Sequence, residues 1–201
     1  HRFTALERAQ EQGIGHYFVP RYTRVVDTVD SKDDINKAYS LISTSRVRNE
    51  MIIDDVKKSV AQKQTPVILT RFKEHAKLLY DALKNEADHV FLLYGDNSDK
   101  ENAEIRVKLK QIPKNESLIL VATGQKIGEG FDFPRLDVLM LAAPVSFEGR
   151  LEQYVGRLNR DYEGKDSVYV YDYIDAHVRF FNKMYGKRLK TYKRTGFSIW
   201  T

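Results

Sequence analysis

The chain has 201 residues, 42 % apolar and 30 % charged, a balance that suits one globular domain, or one with an appendage, and excludes low-complexity and fibrous classes. It has no cysteine and five scattered histidines, which rules out disulfides, iron–sulfur clusters, thiolate metal sites and cysteine nucleophiles, and points to no metal centre. The net charge of +5 is carried by the end of the chain, where no acidic residue follows Asp175 but Arg179, Lys183, Lys187, Arg188, Lys190, Lys193 and Arg194 do.

Short apolar runs alternate with segments of helical period, the pattern of βαβ units on a mostly parallel sheet. The first strand is predicted at Tyr22 to Val26. One or two helices follow between Asp30 and Lys63, where Ser43, Thr44 and Ser45 interrupt the pattern. A strand at Val67 to Thr70 leads into a helix over Arg71 to Leu83, whose Phe72, Ala76, Leu79 and Leu83 form one apolar stripe. After a strand at Val90 to Tyr94, Ser98 and Glu101 have the spacing of a capping box for a helix presenting Ile105, Leu109 and Ile112. Strands are predicted at Leu118 to Ala122, Val138 to Ala142 and Val168 to Tyr173, and a helix that Pro144 and Ser146 precede and that runs to about Arg160. Several of these strands are apolar without alternation, as strands covered on both faces are. Beyond Asp175, a candidate cap, Val178, Phe181, Tyr185, Leu189 and Tyr192 recur at helical spacing, with Gly186 a potential break.

Two segments carry candidate chemistry. In Gln153-Tyr-Val-Gly156-Arg157-Leu-Asn-Arg160, at about 100° per residue, Gln153, Gly156, Arg157 and Arg160 fall on one side of a helix and Leu151, Tyr154, Val155 and Leu158 on the other. Two guanidinium forks at this spacing suit a polyphosphate, and Gly156 would let it approach closely. The competing reading is a solvated face whose arginines pair with Asp161 or Glu163. The second segment, Ala122-Thr123-Gly124 through Gly128-Glu129-Gly130-Phe-Asp132, follows an apolar strand directly. That puts its glycines and Asp132 at the carboxyl edge of the sheet, where open α/β folds bind ligands. Its amides could face a phosphate and Asp132 a ribose hydroxyl; the plainer reading is a glycine-rich connection.

Together with Val67-Ile-Leu-Thr70-Arg71, these blocks resemble motifs IV, V and VI of superfamily 2 helicases, in order and over roughly residues 60 to 175. The resemblance implies a three-layer αβα RecA-like domain of the phosphate-loop NTPase type, the second of two such domains, with ATP and nucleic acid bound across the cleft between them. It implies that Arg157 and Arg160 are arginine fingers for the γ-phosphate, with Gln153 helping to position it. Gly128, Gly130, Asp132 and Gly156 would contact or flank the nucleotide, and Thr70, Arg71, Thr123 and Gly124 would lie near the nucleic-acid backbone. DEAD-box RNA helicases usually carry arginine where this chain has Glu129 and histidine where it has Gln153. The sequence is thus more similar to the DNA-repair and restriction-type branch that includes the Rad25-like helicases, which makes DNA the expected partner and leaves RNA open.

Neither G-x-x-x-x-G-K-[ST] nor D-E-x-x occurs, so the elements that cradle ATP and hold Mg²⁺ are expected in a missing N-terminal RecA-like domain. The chain, which begins at His1, reads as a piece of a longer protein and as half of an ATPase. Residues 1–175 are expected to form the helicase C-terminal domain, with entry strand and helices over 1–60 and the motif-bearing core over 61–175. Residues 176–201 would be a basic helix and tail packed on it, whose Lys183, Lys187 and Lys190 either track phosphates with Tyr192, Phe197 and Trp200 or face solvent. No apolar run approaches the ~20 residues of a membrane-spanning helix, and no leader pattern opens the chain, so a cytoplasmic protein without a membrane partner is expected. The function this composes is the C-terminal motor domain of an ATP-dependent DNA helicase or translocase. The rivals are a non-catalytic nucleic-acid- or protein-binding module that keeps the fold, and an unrelated nucleotide-dependent α/β enzyme.

Overall fold

The apolar runs become β1 (Gly15–Tyr22), β2 (Pro66–Thr70), β3 (His89–Leu93), β4 (Leu118–Thr123), β5 (Val138–Leu141), β6 (Ser167–Ile174) and the short β7 (Ser198–Ile199). The helices are α1 (Ile35–Thr44), α2 (Arg46–Ala61), α3 (Lys73–Leu83), α4 (Asp99–Gln111), α5 (Glu148–Leu158) and α6 (Arg179–Arg194). The computed structural model describes residues 11, 13–27, 34–124, 127, 132–145, 148–160 and 162–201. Its strands form one sheet, in the order β3-β4-β2-β5-β6-β1-β7, with every pair parallel.

Helices cover both faces, which is why β2, β4 and β5 are buried along their whole length and read as unbroken apolar runs. On one face Leu109 of α4, Leu151, Tyr154, Val155 and Leu158 of α5 and Tyr192 of α6 pack on Val67, Leu69, Leu120 and Leu139. On the other, Ile52 and Val56 of α2 and Ala76, Leu79 and Leu83 of α3 meet Ile68, Val121 and Met140. A third cluster joins Ala38, Tyr39 and Ile42 of α1 to Val178, Phe181 and Met184 at the start of α6. The architecture is the three-layer αβα form expected.

The capping box at Ser98 and Glu101 is formed. The serine-rich interruption resolves into two helices: Ser45 ends α1 and accepts from the Arg48 amide to cap α2. Four local expectations are corrected. The first strand lies at Gly15–Tyr22 instead of Tyr22 to Val26, because Pro20 does not interrupt it. The Phe18 carbonyl accepts from the Trp200 amide and so faces β7; Pro20, two residues on, turns its missing N–H to the same outer side, where β7 has ended. Helix α5 stops at Leu158, short of Arg160. Helix α6 runs unbroken through Gly186, and Asp175 does not cap it. That carboxylate is instead fully buried, accepting from Arg48 Nε at 2.9 Å and Thr23 Oγ1 at 2.5 Å.

Buried Arg188 fixes α6 to the sheet through two 2.8 Å bonds to the Asp172 carboxylate, which also accepts from the Tyr192 hydroxyl at 2.9 Å. Tyr192 in turn stacks on Phe18, with centroids 4.5 Å apart. At the opposite sheet edge the His89 amide donates to Ser117, so Leu92, of the other parity, points its carbonyl outward. The side-chain amide of Asn97 donates to it at 2.8 Å. Among the described residues no helix is long and apolar enough to cross a membrane.

Candidate functional site

Helix α5 is strongly two-sided. Leu151, Tyr154, Val155 and Leu158 are buried against the sheet, while Gln153 is exposed and Gly156 and Arg157 are partly so. A Cβ built on Gly156 would meet nothing within 4 Å among the described residues, so their packing does not demand the glycine. Gly124 is the opposite case: a Cβ there would lie 2.5 Å from the Tyr154 hydroxyl and 3.3 Å from its ring. Bare backbone at the end of β4 thus lets α5 sit close, which ties the two candidate segments together. Burial raises the pKa of Tyr154, keeping it neutral there.

Arg160 lies past the helix end, half-exposed, with its guanidinium 3.3 Å from the equally half-exposed Asp132. Glu163, offered as a partner by the solvated-face reading, pairs instead with Lys114; Asp161 lies outside the described residues, as do Gly128 and Gly130. Asp132 is not at the carboxyl edge of the sheet, as its sequence position suggested. Between parallel neighbours the chain must cross back to the amino edge, and Asp132 comes at the end of that crossing, six residues before Val138 opens β5. The amino edge here is densely bonded. The Lys165 ammonium, just ahead of β6, donates to the carbonyls of Leu136 at 2.7 Å, Pro134 at 3.0 Å, Arg160 at 3.2 Å, and Leu158. Buried Asn159 bonds through Oδ1 to His16 Nε2 at 2.8 Å, and burial lowers the pKa of that imidazole, so it is neutral and donates. Lys165 and His16 were not singled out in the sequence. Lys165 follows Gly164 but is followed by Asp166, so the pair lacks the Ser or Thr of a phosphate loop.

The motif IV residues stand at the carboxyl edge. Thr70 and Thr123 are register partners on adjacent strands, and both are buried. The Thr70 hydroxyl lies 2.6 Å from His75 Nδ1, whose Nε2 is 2.8 Å from Asn49 Oδ1. Burial, then the Arg48 charge, pushes the pKa of His75 down to about 3, so the ring is neutral and the relay runs Thr70 to His75 to Asn49. Arg71 is exposed, its guanidinium 4.4 Å over the ring of Tyr39, an arrangement that favours the cation. Tyr39 is anchored by its hydroxyl to the Pro144 carbonyl at 2.7 Å.

The structure therefore gathers Gln153, Gly156, Arg157, Arg160 and Asp132 along α5 and beyond its end, and Thr70, Arg71, Thr123 and Gly124 at the carboxyl edge. Lys183, Lys187 and Lys190 belong to neither group; they lie on the exposed side of α6. Of the aromatic residues expected beside them, Tyr192 is fully buried and Trp200 is 47 % exposed. Trp200 sits edge-on to Tyr17 and Tyr169.

No family model matches the chain. It is 31 % identical over 178 residues to the protein named helicase 161L of Invertebrate iridescent virus 6, an alignment covering 84 % of this chain and 38 % of the viral protein. Among solved structures it is similar to T4 UvsW, with a TM-score of 0.70 and 21 % identity over 94 % of this chain and 41 % of that one. It also matches the C-terminal domain of the DEAD-box protein Dbp5, with a TM-score of 0.56 and 13 % identity over 93 % of this chain and 88 % of that domain. These two structures speak to the fold, and the helicase 161L alignment adds sequence similarity to motif order. The chain belongs to the superfamily 2 helicases, as a C-terminal RecA-like domain.

Proposed function

We propose that this domain is the C-terminal motor half of an ATP-dependent DNA helicase or translocase of the DNA-repair and restriction-type branch, working inside the cell. Arg157 and Arg160, assisted by Gln153, reach the γ-phosphate of an ATP held chiefly by an N-terminal RecA-like domain of the same protein. Gly128, Gly130, Asp132 and Gly156 flank that nucleotide. Thr70, Arg71, Thr123 and Gly124 contact the nucleic-acid backbone, with Lys183, Lys187 and Lys190 adding charge from α6. Among the described residues no three metal-ligating side chains converge. The magnesium that accompanies ATP would take its protein ligands from the partner domain.

The observation that carries the reading is the outer side of α5. Gln153 and Arg157 line it, no described residue crowds Gly156, and Arg160 is held beside Asp132 at its end. Two guanidinium groups presented this way can neutralise charge building on a transferring phosphoryl group. In the parent protein, Arg157→Ala and Arg160→Ala should each lower nucleic-acid-stimulated ATP hydrolysis by about 10³ to 10⁵, the range for an arginine finger. The fold should stay intact, since an exposed ion pair contributes only about 0 to 1 kcal/mol.

A second reading, a non-catalytic module, draws on Arg160 already having a carboxylate partner in Asp132. Near-normal hydrolysis in both arginine variants would remove Arg157 and Arg160 from catalysis and favour it.

A further inference from the structure

Arg160 stands outside α5. The last helical hydrogen bond runs from the Asn159 amide to the Val155 carbonyl at 3.1 Å, and Arg160 follows on a bend. Helical geometry therefore does not orient Arg160, whose guanidinium lies 3.3 Å from Asp132. What fixes its backbone is the ammonium of Lys165, which takes the carbonyl on each side of Asn159, those of Leu158 and Arg160, while also holding those of Pro134 and Leu136. Three N–H donors share four acceptors, and a cation at a helix carboxyl end also meets the negative end of the helix dipole. The two segments so joined are the ones that deliver Arg160 and Asp132 to each other.

We propose that Lys165 is the positioning residue for Arg160, setting the guanidinium where it meets the ATP phosphate. This rests on the reading of Arg160 as an arginine finger and extends it to a residue that touches neither nucleotide nor nucleic acid. Charge-assisted bonds to backbone carbonyls are short and directional, so they restrict where the Arg160 Cα can lie, whereas the single 3.3 Å pair to Asp132 can break when ATP arrives. The Asn159–His16 bond at 2.8 Å supports the same segment from β1. Asp137 faces the ammonium as the nearby countercharge.

The test is a four-way comparison of ATP hydrolysis by the parent protein: wild type, Lys165→Met, Arg160→Ala and the double variant. Lys165→Met should lower kcat by about 10²-fold, the scale of ångström-level misplacement of a catalytic group, with KM for ATP little changed. In the Arg160→Ala background the same substitution should have almost no further effect, because nothing is left to position. An equal loss in both backgrounds would assign Lys165 to general stability and overturn the proposal. So would a deep loss in Arg160→Ala with unchanged kcat in Lys165→Met, and that outcome leaves the finger reading standing. Wild-type hydrolysis by Arg160→Ala removes the finger reading and the proposal with it. If Lys165→Met does not fold, Lys165→Gln, which keeps two N–H donors without the charge, enters the same comparison.

Discussion

At Asp137 the fold holds a carboxylate where burial pushes its pKa up from 3.8 to about 6, against the pull of the Thr65 amide and the Lys165 and Arg135 charges. Because the folded pKa lies above the unfolded one, ionisation costs the native state nothing below about pH 4. The cost grows by roughly 1.4 kcal/mol per pH unit up to about 6 and stays constant above. Asp137→Asn keeps an acceptor for Thr65, whose amide lies 2.7 Å from Asp137 Oδ1, without the charge. It should therefore melt higher than wild type at pH 7.5 and match it near pH 4, as thermal scans at the two pH values will read. His75 acts in the opposite sense. Held neutral with a pKa of about 3 against an ordinary 6.5, it contributes stability that is complete above pH 6.5 and drains away as the pH falls towards 3. Neither group announces itself in the sequence, because both shifts arise from burial among residues distant along the chain.

Among the elements, α6 docks through its apolar side and Arg188 and leaves Lys183, Lys187 and Lys190 exposed, so docking by itself does not exclude phosphate contact by the lysines. If the lysines meet a phosphate backbone, replacing Lys183, Lys187 and Lys190 together with Gln should weaken binding of the parent protein to DNA of any sequence. It should also flatten the salt dependence by about 0.9 in log–log slope for each phosphate that is no longer neutralised. Titrations at several salt concentrations measure both, and an unchanged slope assigns the lysines to solvent. What the sequence made legible at this scale was set by local rules. Apolar stripes placed α3 and α4, the Ser98 and Glu101 pair fixed the start of α4, and the central strands lay within a residue or two of expectation. It misled where a distant partner decided the outcome. Pro20 belongs to a strand because its outer side has no partner to lose, and Asp175 is claimed by Arg48 and Thr23 before it can cap a helix. The motif VI side of α5 was readable from periodicity, whereas the amino-edge place of Asp132 depends on a crossover that no local pattern records.

For the molecule as a whole, the two candidate groups sit on one sheet, with Arg157, Arg160 and Asp132 in one and the carboxyl-edge residues in the other. Tyr154, packed over Gly124, links the helix of the first group to the strand end that carries the second. Alone, the chain carries no phosphate loop in its sequence, so purified as 201 residues it should show negligible ATP turnover. A helicase-like rate from it would mean that the active site has been misplaced. The sheet's two borders share a property that bears on how the protein behaves when crowded. On one, Pro20 withholds the donor that the next rung would need; on the other, the Asn97 amide already occupies the Leu92 carbonyl. A foreign strand arriving at either border finds an incomplete set of partners, so the domain resists being used as a template for intermolecular β-pairing. Protection against aggregation is thus written into two residues remote from any proposed chemistry.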